Sequence, residues 1–201
     1  MVKDLSKRFG SRRLFADLSW ELQTGQSMAI TGPNGSGKST LMQILSGLGR
    51  PSGGQVAHYE GEKCLELGEL RNHLGFVSPY LNLYDQLTAE ENLKFFATVA
   101  GVAITGRQIN DTLARLGLEG RGHDLLATYS SGMKQRLKYA VALLKQPGFL
   151  FLDEPTANLD EAGKRLVESI LDEHRDKAVI IIATNETQEY CLAQEQCRLG
   201  N

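Results

Sequence analysis

A chain of 201 residues with 41% apolar and 23% charged side chains has room for one sizeable domain, or for a core carrying a small inserted subdomain. Its formal net charge of −2 carries no basic surplus, so nothing marks it as a general nucleic-acid binder. No stretch approaches the ~20 apolar residues that cross a bilayer, and residues 1–8 lack the apolar core of a secretory leader, so the expected setting is the cytoplasm. Cys64, Cys191 and Cys197 are scattered without a CxxC pair, as expected of free thiols. His58, His73, His123 and His174 are equally isolated, as expected of surface or structural side chains.

Residues 2–22 mix charge with alternating apolar positions and predict short strands around a turn at 8–13, where Phe9 sits. Ser27-Met28-Ala29-Ile30 predicts a strand that enters Gly32-Pro33-Asn34-Gly35-Ser36-Gly37-Lys38-Ser39-Thr40, a full match to G-x-x-x-x-G-K-[ST]. The glycines let backbone N–H groups curl around phosphates. Lys38 adds a point charge there, and the Ser39 hydroxyl is placed to ligate Mg²⁺. Leu41, Ile44, Leu45 and Leu48 follow at i, i+3, i+4 and i+7, which predicts a helix leaving the loop. This combination implies a bound nucleoside triphosphate. Phe9 is then either a packing residue or a platform for the nucleotide base.

The run 47–54 ends that helix and turns the chain, and residues 56–59 predict a further strand. Residues 74–78 predict another, stopped by Pro79. Thr88 and Glu91 have capping-box spacing for a helix to about Ala100, and a second helix is expected from about Thr105 to Leu116. The segment from about 80 to 145 is helical and lacks strand signals. Strand returns at 148–152, helix from Asp160 to about Arg175, strand at 178–183, then a short helix. Strands alternating with helices argue for a largely parallel, buried sheet.

Phe149-Leu150-Phe151-Leu152-Asp153-Glu154-Pro155 is an apolar strand ending in acid. It would deliver Asp153 to hold Mg²⁺ and Glu154 to activate the attacking water as general base. Tyr129-Ser130-Ser131-Gly132-Met133-Lys134-Gln135-Arg136 lies shortly before it, ahead of a helix. By itself this is a helix N-cap. In this order and spacing it resembles the LSGGQ signature of the ATP-binding cassette (ABC) ATPases, with Ser130 and Gly132 retained.

The resemblance covers nearly the whole chain and implies an α/β P-loop NTPase fold. It predicts a largely parallel core with an N-terminal antiparallel β subdomain and an inserted α-helical subdomain. The chain would be one ABC ATPase domain, with its core at about 1–79 and 146–201 and its helical subdomain at about 80–145. ATP and Mg²⁺ are the implied ligands. Ser130, Ser131 and Gly132 would meet the nucleotide held by a second copy or a similar subunit. Asn158-Leu159-Asp160 looks like the family's D-loop, although Asp160 also suits the N-cap of the next helix. Separate transmembrane permease subunits would hold the protein at the inner face of the membrane. The short build and the YSSGM form look most like exporter-type subunits, including the haem-exporter ATPase of cytochrome c maturation.

Two positions depart from the family. Pro79 stands where a glutamine is usual and offers no side-chain donor or acceptor. Asn185 stands at the switch histidine; it can donate a hydrogen bond but does not titrate near neutral pH. Asn185 also suits an N-cap, with Gln188 at capping-box spacing. A slow ATPase is the expectation.

Overall fold

The computed structural model describes residues 1–200. Strands β1 (Val2–Phe9) and β2 (Arg12–Trp20) form a hairpin, and β3 (Ser27–Thr31) leads into helix α1 (Lys38–Leu45). Next come β4 (Gly53–Val56), the short hairpin β5 (Tyr59–Glu60) and β6 (Lys63–Cys64), one turn of helix α2 (Leu67–Leu70), and β7 (Leu74–Val77). Three helices follow: α3 (Ala89–Ala100), α4 (Gly106–Arg115) and α5 (Ser131–Leu143). The chain closes with β8 (Phe149–Asp153), α6 (Glu161–His174), β9 (Val179–Thr184), a 3₁₀ turn at Thr187–Leu192 and β10 (Glu195–Arg198).

A five-stranded sheet in the order β10-β3-β9-β8-β7 is parallel throughout, so the carboxyl ends of β3, β9 and β8 meet at one edge. Strands β3 and β9 are buried at every position, as strands covered on both faces must be. Side-chain alternation splits each strand between two cores. Leu150, Leu152, Ile180 and Ile182 pack with α3 to α6 on one face. Phe151, Val179, Ile181 and Ala183 pack with α1 and with Val2, Leu5 and Phe15 on the other. Those last three belong to the antiparallel sheet β2-β1-β4.

The helices start where local chemistry directs. Thr88 with Glu91 and Thr105 with Gln108 form reciprocal capping boxes. No described helix is long and apolar enough to cross a membrane.

Three expectations need correction, and one strand was not expected. Leu48 is not part of the helical stripe: α1 ends at Leu45, Gly47 turns at φ +75°, and Leu48 is 68% exposed. Residues 56–59 are not one strand, because the chain leaves β4 at Val56 and turns into the separate β5–β6 hairpin. The turn at 8–13 is tighter than expected, since Phe9 still pairs with Arg12 across the ladder. The polar strand β10 carries no sequence signal; it is made by parallel pairing with the edge of β3 that β9 leaves open.

His58 packs edge-on against Phe149, with ring centroids 5.1 Å apart. Burial lowers its pKa from 6.5 to about 4, and the Met1 amino group adds to the effect. The fold therefore keeps the imidazole neutral while the unfolded chain takes up a proton. Stability present above pH 6.5 should decline as pH falls toward 4, by about 2 kcal/mol after allowance for partial exposure. Urea unfolding at pH 7 and pH 4.5 should show that loss in the native chain, and a smaller one in His58→Phe.

Candidate nucleotide site

The loop 32–40 joins β3 to α1 through glycines that no other residue replaces cheaply. A Cβ on Gly32 would lie 2.5 Å from the Leu199 carbonyl oxygen. Gly37, the N-cap of α1, sits at φ +103°, with Leu14 and Phe15 of β2 against it. Lys38 is only 7% exposed, and its Nζ donates to the loop's own carbonyls, Gly32 at 2.8 Å and Pro33 at 3.4 Å. The Ser36 Oγ is buried without a hydrogen-bond partner among the described residues. Thr40 and Ser39 are half-buried in the first turn of α1, which carries no acidic side chain and so leaves the positive end of the helix for an anion.

Across β9, Asp153 ends β8 and is 3% exposed. Burial raises its pKa above the usual aspartate range; the Ser39 hydroxyl opposes the rise, Glu154 adds to it and Lys38 opposes it. Lys38, Ser39, Asp153 and Glu154 therefore share one electrostatic neighbourhood. Glu154 is half-buried, and its N–H donates to the Ala183 carbonyl at 2.8 Å. Asn185 follows β9, and its Nδ2 lies 3.5 Å from Asn34 Oδ1 of the loop. It is not a cap: Glu186 holds the N-cap position of the 3₁₀ turn, and its N–H is bonded instead to Thr184 Oγ1.

The residues present fit a magnesium nucleotide. A buried lysine rests on carbonyls of the phosphate-type loop, a buried hydroxyl has no partner, and a carboxylate stands beside Ser39. Among the described residues no three His, Cys, Asp or Glu side chains gather to hold a metal unaided. A Mg²⁺ held by Ser39 and Asp153 would draw its other ligands from phosphate and water, as this ion usually does.

Phe9 is 57% exposed, which removes the packing alternative, and Lys7 Nζ lies 4.8 Å from its ring centroid. Ser130 caps α5 by accepting from the Met133 N–H at 3.2 Å, with Ser131 exposed beside it. Gly132 meets the D-loop candidate, since a Cβ there would lie 2.9 Å from the Asn158 carbonyl oxygen. Asp160 does cap α6, accepting from the Gly163 N–H at 2.8 Å.

Four contributors carry no signal in the sequence. Arg12 Nη2 donates to the Gly35 carbonyl at 3.2 Å. Leu199 donates its N–H to the Thr31 carbonyl, and Gly200 packs on Pro33 and Ser36 behind the loop. Lys138 of α5 donates to the carbonyls of Ser78 at 2.9 Å and Pro79 at 3.3 Å. None of these belongs to a local motif, so no spacing could have marked them.

Residues 15–157 match the ABC transporter family. The chain belongs to that family. This ABC cassette is 33% identical over 198 residues to the probable multidrug ABC transporter ATP-binding protein YbhF of Escherichia coli K12, covering 94% of this chain and 34% of YbhF. It thus spans about a third of that relative. It is 34% identical to the cytochrome c biogenesis ATP-binding export protein CcmA of Cupriavidus pinatubonensis, covering 92% of this chain and 82% of CcmA. A dimeric post-hydrolysis structure of the ATP-binding cassette MJ0796 with ADP and Pi superposes with a TM-score of 0.83 at 25% identity, covering 98% of this chain and 93% of that one. The P-loop α/β architecture expected from the sequence is therefore that of ABC cassettes.

Proposed function

We propose that this cassette is the ATP-binding and hydrolysing subunit of an ABC transporter. It would pair with a second copy or a similar subunit beneath separate permease subunits, at the inner face of the membrane. The observation that carries this reading is the gathering of Lys38, Ser39, buried Asp153 and Glu154 at one sheet edge. Bound Mg²⁺ would neutralise phosphate charge. Lys38 would add its charge at the β- and γ-phosphates, and Glu154 would take the proton of the attacking water. Asn185 would donate one amide hydrogen bond to the γ-phosphate, and Phe9 would stack on the base. Ser130, Ser131 and Gly132 would complete the site held by the second copy, so that ATP closes the pair and hydrolysis opens it.

The inserted helices, about 80–145, supply the surface we assign to the permease. Tyr80 is 72% and Val99 71% exposed there. Tyr84 packs edge-on against Phe95, with centroids 4.9 Å apart, and both are partly open to solvent. We assign substrate choice to the permease, a reading supported by similarity both to a multidrug protein and to a cytochrome c biogenesis exporter, while the YSSGM form favours the exporter type.

A second reading is favoured by Asn185 and Pro79: a module that closes around ATP and hardly hydrolyses it. Phosphate release from Mg-ATP, measured against protein concentration, separates the two. A specific rate that rises with concentration supports the paired ATPase; ATP binding without release supports the switch. Asn185→His should raise the rate by about tenfold or more, since one transition-state donor is worth about 10²–10³ when removed elsewhere. An unchanged rate would discard the role given to Asn185.

A further inference from the structure

Glu154 stands at φ +52°, a left-handed conformation that side-chain-bearing residues adopt only where neighbours enforce it. Three elements grip Glu154 and the two residues that follow it. The Ala183 carbonyl of β9 accepts the Glu154 N–H at 2.8 Å. From the 3₁₀ turn after Asn185, Glu189 Oε1 accepts from the Thr156 N–H at 3.1 Å and from the Thr156 hydroxyl. From α5, the Tyr139 hydroxyl donates to the Pro155 carbonyl at 2.9 Å, and Gln135 Nε2 donates to the same oxygen at 3.3 Å.

All four side chains are buried: Tyr139 0%, Glu189 4%, Gln135 5% and Thr156 7% exposed. The second oxygen of Glu189 has no partner among the described residues, a cost that packing alone would not call for. The negative charge of Glu189 also helps to raise the Tyr139 pKa, after burial, which places the two arms of the grip within electrostatic reach.

We propose that Glu189, Tyr139 and Gln135 clamp Pro155 and Thr156 and thereby position the Glu154 carboxylate, tying the base to both the Asn185 segment and the signature helix. Gln135 and Tyr139 lie roughly one and two turns into the helix that Ser130 caps. A displacement of the signature would therefore reach the Pro155 carbonyl along a rigid helix. These are positioning residues, and the assignment rests on Glu154 serving as base.

Thr156→Val and Tyr139→Phe each remove one hydroxyl at nearly constant volume. In each, kcat should fall about tenfold to a hundredfold through misplacement of the base. Affinity for a fluorescent ATP analogue should stay within about twofold, the split expected when only the transition state loses support. Thr156→Ser keeps the hydroxyl and should restore turnover. Hydrogen exchange of the amides at 153–158 should quicken by about threefold or more in both hydroxyl-deleted variants, with β3 and β9 unchanged. Unchanged exchange at 153–158, or equal losses in Thr156→Ser and Thr156→Val, would overturn the clamp. A native chain without turnover would sink the ATPase reading alone, and the exchange result would then decide the clamp.

Discussion

Glu154→Gln is expected to suppress phosphate release by about 10²–10⁴-fold, the contribution of a well-placed general base. The amide has nearly the same volume as the carboxylate but cannot accept the proton of water. The fold should not notice the change, because the hydrogen bond that anchors this residue runs from its backbone N–H to Ala183, not from its side chain. ATP should still bind, since Lys38 and the loop 32–40 are untouched. With hydrolysis blocked, the closed pair should accumulate, so size-exclusion chromatography with ATP should show a dimer peak larger than that of the native chain. Turnover that stays above about a tenth of native would remove Glu154 from the role of base.

Asp153→Asn should separate stability from activity. Burial holds the native Asp153 carboxyl above the usual aspartate range, so its ionised form is disfavoured in the fold. The sign follows from that direction. Above the ordinary aspartate pKa the unfolded chain ionises freely, and the folded chain bears a penalty for doing the same. Acidification through the raised value relieves it, and asparagine relieves it at every pH. Without nucleotide, the variant should melt higher at pH 7, by about 2–4 °C for each kcal/mol relieved, and the gain should shrink on acidification. Mg-dependent phosphate release should fall by about 10²-fold or more, because an amide carries no charge for the ion. A lower melting temperature at pH 7 would show instead that Asp153 stabilises the fold as a charged group.

Much of this was legible along the chain. The loop 32–40 identifies itself because phosphate binding needs glycines and a lysine at fixed offsets within one turn. Asp153 and Glu154 directly follow four apolar or aromatic strand residues, so a sheet edge was readable with them. Capping boxes at Thr88 and Asp160's cap at α6 were readable for the same reason: their partners lie three residues away.

The tertiary structure decided what depends on long-range pairing. Strand β10 is polar and becomes a strand only because β3 offers an unpaired edge. Asn185 looks like a cap by spacing, yet the chain leaving β9 turns it toward Asn34 and gives the capping position to Glu186. Phe9 could have been core until the hairpin placed it in solvent. Arg12, Lys138 and Glu189 act on carbonyls, an amide and a hydroxyl far away in sequence, and a backbone carbonyl has no residue type to announce it. Sequence alone determined the chemistry that short spacing encodes; the fold decided which residues hold that chemistry in place.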